Sequence, residues 1–74
     1  MDYFKVVQDI IKSKVGDMEL KESTELSSLN LNSLDLVEIT LEIEDKFHIE
    51  FNSSEIANLS TIKDVVELIK RKTN

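Results

Sequence analysis

The sequence predicts an all-α domain with three longer amphipathic helices, one short helix third in order, and a long first loop. Three observations carry this. Apolar residues recur at helical spacing in three separate segments. There is no proline to break them, and the only glycine, Gly16, falls between two of them. No sustained period-2 alternation competes, since "FHIEF" (47–51) is too short and isolated to build a sheet.

The first helix is expected over about residues 2–15. Phe4, Val7, Ile11 and Val15 form one stripe with Tyr3 and Ile10 beside it, and Lys5, Gln8, Asp9 and Lys12 lie opposite. Gly16 stands where a left-handed C-terminal cap belongs. Residues 17–32, "DMELKESTELSSLNLN", show no sustained period and read as a loop whose Leu20, Leu26, Leu29 and Leu31 dip into the core. The second helix is expected over 33–47, with Asn32 as N-cap and Asp35 three residues on, in capping-box spacing. Asn52 and Glu55 repeat that spacing and open a short helix over 53–58. Ser60 or Thr61 caps the last helix, 61–71. There Ile62, Val65, Val66 and Ile69 share a face, and Lys70, Arg71 and Lys72 suit the C-terminal end of the dipole.

The chain has 74 residues, 41% of them apolar and 32% charged, which suits one small folded domain spanning 1–74 rather than disorder. No apolar run approaches a membrane span, and the first residues lack the order of a secretory signal. A cytoplasmic location without membrane insertion is the expectation. The net charge of −6 is unevenly spread: residues 1–15 carry +1, 63–74 carry +2, and 16–62 carry −9. Such an acidic middle argues against nucleic acid; it suits steering toward basic protein surfaces and equally a charge that keeps the chain in solution. There is no cysteine and a single histidine, His48, so no Cys-based nucleophile and no metal site is expected. The acids also lack the ligand series of a calcium loop.

The second helix has two apolar faces. Leu36, Ile39, Ile43 and Phe47, with Thr40 at the edge, form the core face. Leu34, Val37 and Leu41 lie roughly opposite, ringed by Asp35, Glu38, Glu42, Glu44 and Asp45. An apolar cluster with a charged rim marks a protein-binding surface, unless the loop or the short helix covers it. Ser33 opens this helix, where position alone makes a serine a cap or a filler. Ser33, Asp35 and His48 supply the residue types of a catalytic triad, but 1.5 Å per residue puts His48 about 20 Å from Ser33. No Gly-x-Ser-x-Gly elbow is present, so no catalytic residue is assigned.

The segment "NSLDLVEITLEIEDKF" (32–47) resembles the phosphopantetheine-attachment segment of acyl carrier proteins, in which Asp-Ser-Leu opens an acidic helix ending in Glu-x-x-Phe. Ser33, Leu34, Glu38, Glu44 and Phe47 match that pattern. The likeness extends over essentially the whole chain, including "LSTIKDVVELI" near its end. It implies a four-helix bundle with the short third helix crossing. It implies that Ser33 carries 4′-phosphopantetheine, installed from coenzyme A by a separate Mg²⁺-dependent transferase, and that acyl groups ride on its thiol as thioesters. The expected partners are the phosphopantetheinyl transferase and acyl-loading, condensing and tailoring enzymes with basic docking surfaces, met by a monomeric, freestanding carrier of fatty-acid, polyketide or related synthesis. The alternatives are an aminoacyl or peptidyl carrier of a dissociated nonribosomal pathway and an unmodified interaction protein. Asn32 and Asn30 depart from the family's usual aspartate and glycine, and Asn32 removes one charge beside Ser33.

Overall fold

The computed structural model describes residues 2–73; residues 1 and 74, the ends of the expected 1–74 domain, lie outside the described residues. Four helices form in the expected order: α1 (Tyr3–Val15), α2 (Ser33–Phe47), α3 (Ser53–Ala57) and α4 (Ile62–Thr73). α1 packs against both α2 and α4. The shared core is aliphatic, with Val7 and Ile11 of α1, Ile39 and Ile43 of α2, and Ile62 and Ile69 of α4 all buried.

Each helix start is fixed by a side chain that takes up a free backbone N–H. The Asp2 carboxylate accepts from the Lys5 amide, so Asp2 is the cap of α1 rather than its first residue. The Asn32 and Asn52 side chains accept from the amides of Asp35 and Glu55 at 2.8 Å each, and both acids bond back to close capping boxes. The Thr61 hydroxyl accepts from the Asp64 amide, so α4 begins at Ile62; it runs to Thr73, past the expected end at 71. α3 stops at Ala57, with Asn58 as its C-cap.

Gly16 differs from expectation in kind. Its φ of 85° needs glycine, but its ψ of −164° is extended, so the chain leaves α1 at once rather than curling through a left-handed turn. The left-handed turns fall instead on Asn30 (φ 56°) and on His48 (φ 57°), which is the C-cap of α2. The long connection is less loop-like than its composition predicts. A short 3₁₀ turn at Leu26–Leu29 buries Leu29, and Leu20 is buried as well, while Leu26 and Leu31 pack partly against the core. The connection is tied down by backbone hydrogen bonds from Leu26 to the Ser60 carbonyl (2.8 Å) and from Ile62 to that of Thr24 (3.1 Å). The Gln8 side-chain amide donates to the Leu20 carbonyl at 2.8 Å.

Phe47 is only half-buried. Its ring meets Tyr3 with centroids 5.4 Å apart and packs on the margin of the core rather than within it.

Candidate functional site

Ser33 is the first residue of α2 and is exposed. The Asn32 side chain takes up the Asp35 amide and the Asn32 carbonyl that of Leu36. The N–H groups of Ser33 and Leu34 and the Ser33 hydroxyl have no hydrogen-bond partner among the described residues. A free hydroxyl thus stands at the positive end of a 15-residue helix dipole, beside two unused donors. His48 caps the opposite end of the same helix, so the three triad residue types do not converge.

Beyond Ser33, the second face of α2 is open. Leu34, Val37 and Leu41 are 65%, 51% and 56% exposed, so neither the connection nor α3 covers them. The five acids around them are not equivalent. One Asp35 oxygen serves the capping box, at 3.4 Å from the Asn32 amide. Glu38 pairs with Lys14 of α1 at 3.3 Å. Glu44 accepts the Phe51 amide at 2.7 Å and fastens the segment after α2 to the helix. Glu42 and Asp45 are exposed and form no ion pair with any described residue.

On the other side of α2 lies an apolar cavity of about 400 Å³. Leu36, Ile39, Thr40 and Ile43 form its α2 wall, Leu26 and Leu31 its wall from the connection, and Phe51, Ile56 and Leu59 its wall around α3. The Thr40 hydroxyl donates to the Val37 carbonyl at 2.8 Å, so this buried polar group adds no unmet demand to the cavity. Sequence reasoning missed the cavity. The available signal was the combination of a threonine on the core face with aliphatic residues supplied by short, irregular segments, which fill space less completely than a fourth long helix.

α3 buries none of its own residues. It is held instead by Glu55, which closes the capping box and pairs with Lys72 of α4 at 2.9 Å. The Asn52 amide and the Lys72 ammonium hold the Glu55 carboxyl below its ordinary value. The amides of Thr61 and Ser60 do the same for Asp64. Among the described residues no group of three or more His, Asp or Glu is placed to hold a metal ion, and no helix is long and apolar enough to cross a membrane.

The family described as "Phosphopantetheine attachment site" matches residues 5–69, a stretch containing Ser33, α2 and the cavity. The chain is 38% identical over 73 residues to an acyl carrier protein of Helicobacter hepaticus, covering 95% of this chain and 96% of that one. It is 37% identical over 70 residues to an acyl carrier protein of Coprothermobacter proteolyticus, covering 90% and 85%. The fold is similar to the crystal structure of an acyl carrier protein from Thermotoga maritima, with a TM-score of 0.77 over 97% of this chain and 91% of that one at 21% identity.

Proposed function

The chain belongs to the acyl carrier protein family, whose members bear a covalently attached 4′-phosphopantetheine, and from that membership we propose that Ser33 is the attachment residue and that the cargo is an acyl chain of fatty-acid, polyketide or related synthesis. The residues present fit the group. The Ser33 hydroxyl is exposed and unbonded, and the free N–H groups of Ser33 and Leu34 favour a phosphodiester at this helix end. When bound, the group supplies the thiol that this cysteine-free chain lacks, and cargo is held on it as a thioester. The chain's own residues present the arm and shield what it carries; they perform no chemistry on it. The transferase and the enzymes of the pathway meet the open face of Leu34, Val37 and Leu41 and the acids beside it, in the cytoplasm, with the carrier as a monomer.

The observation that carries the acyl reading over an aminoacyl one is the cavity. Its α2 wall begins at Leu36, one helical turn from Ser33, and it is walled almost wholly by aliphatic and aromatic side chains. Such a space rewards an alkyl chain and penalises an ammonium group. The test compares two loaded forms of the chain, one bearing an octanoyl and one a glycyl thioester. The octanoyl form melts higher than the free-thiol form and shifts the methyl signals of Ile39, Ile43 and Ile56, while the glycyl form does neither. Equal melting temperatures and unmoved methyl signals in both would remove the acyl assignment.

A further inference from the structure

The acidic rim of α2 is not uniformly available, because α1 supplies a counterion to one member of it. Glu38, Glu42 and Asp45 form a single row along the edge of α2 that faces α1, at i, i+4 and i+7. The Lys14 ammonium, in the last turn of α1, lies 3.3 Å from the Glu38 carboxylate. The Lys14 side chain is only 22% exposed, so its charge is held at the α1–α2 seam rather than sweeping through solvent. Further along the row α1 offers no such cation. Ile10, Ser13 and Asp9 of α1 share a shallow groove with Glu42, Asp45 and Lys46 of α2; Asp9 is already paired with Lys5 at 3.2 Å, and Lys46 is exposed and forms no ion pair with any described residue.

We propose that Lys14 is a specificity-determining residue: as the built-in counterion of Glu38 it withdraws that carboxylate from docking and leaves Glu42 and Asp45 as the charges of this row that a basic partner surface reads. This rests on the carrier reading above. A partner cation that approaches Glu38 must displace Lys14 or accept its repulsion. One that approaches Glu42 or Asp45 meets a carboxylate with no ion-pair partner, and the exposed Lys46 beside them is free to turn into solvent. The electrostatic handle is thereby moved toward the far half of α2, about 14–18 Å from Ser33 at 1.5 Å per residue. The partner that fits has its Lys or Arg cluster at that distance from the point on its surface where Ser33 docks.

The test is a double-mutant cycle on the rate at which a phosphopantetheinyl transferase loads Ser33 from coenzyme A, at limiting carrier concentration and low salt. Glu38→Gln slows loading by less than about 1.5-fold when Lys14 is present and by about two- to fivefold in the Lys14→Gln background, as expected for one exposed charge pair. Glu42→Gln slows it by about two- to fivefold in both backgrounds. Lys14→Arg, which keeps the charge, restores the small Glu38→Gln effect, and thermal melts of each variant separate lost docking from lost fold. If Glu38→Gln costs the same factor with and without Lys14, the charges act independently and the inference is overturned while the carrier reading stands. If the unaltered chain is not loaded at all, both fall together.

Discussion

Ile43→Ala tests whether the two faces of α2 have the assigned roles. Ile43 is 1% exposed and sits one residue beyond Glu42, on the opposite side of the helix from Leu41. The substitution removes three buried carbons, worth about 2.4 kcal/mol at ~0.8 kcal/mol per carbon. The void that remains adds to this, because α1 and α4 hold the surrounding side chains apart; about 3 kcal/mol in all is expected, within the usual range of ~2–5 for Ile→Ala. A 74-residue chain with roughly 0.05–0.15 kcal/mol of stability per residue has about 4–11 kcal/mol to lose from. The melting temperature should therefore fall by about 12–24 °C, at ~4–8 °C per kcal/mol. The assay is thermal unfolding followed by circular dichroism, with urea unfolding to give the free energy. Val37→Ala, at a position 51% exposed, is the control and should stay within about 0.5 kcal/mol of the parent. A loss below about 1 kcal/mol for Ile43→Ala, or equal losses for the two, would mean that the core face of α2 is wrongly assigned.

Leu41→Asp, at a position 56% exposed, should change stability by less than about 0.5 kcal/mol yet slow transferase loading of Ser33, because it puts a charge into an apolar contact; an unfolded variant refutes the open face. His48→Gly should raise stability by about 0.5–1 kcal/mol in a urea titration, since φ 57° strains a histidine more than the added chain entropy of glycine costs. Glu55→Gln tests the hold on α3. The Asn52 amide and the Lys72 ammonium hold the Glu55 carboxyl below its ordinary value, so its contribution is present above the ordinary glutamate pKa and is lost as pH falls through the lowered folded value. The melting temperatures of parent and variant should differ at neutral pH and converge on acidification, and a gap that persists unchanged would contradict the pair with Lys72.

The helices were legible because each is written twice in the sequence, once as a 3.6-residue apolar stripe and once as a cap. α1, α2 and α4 show both. α3 was legible from its cap alone, since the Asn52–Glu55 spacing needs no buried stripe. The observed boundaries lie one residue inside the expected ones where the first expected residue is a cap, as at Asp2 and Thr61. The conformation of Gly16 was not legible, because a lone glycine specifies positive φ but not ψ. The exposure of Leu34, Val37 and Leu41 followed from the wheel only as one of two outcomes; whether the connection covered them depended on its docking to Ser60 and Ile62, through backbone groups that carry no sequence signal. For the same reason the ring of five acids looked uniform in sequence. Its differences come from long-range partners: Lys14 lies 24 residues from Glu38, and the Phe51 amide that binds Glu44 belongs to backbone. Phe47 matched the expected pattern at its position, yet lies at the bundle margin because α2 ends there and Tyr3 is its neighbour.

The attachment of the arm at Ser33 is tested most directly by intact-mass spectrometry of the chain after incubation with coenzyme A, Mg²⁺ and a broad-specificity phosphopantetheinyl transferase. The expected result is a single mass gain of one phosphopantetheine on the parent chain and none on Ser33→Ala, with both proteins giving the same helical spectrum. The same gain on Ser33→Ala would place the arm elsewhere, and no gain on either with several transferases would contradict the carrier function itself.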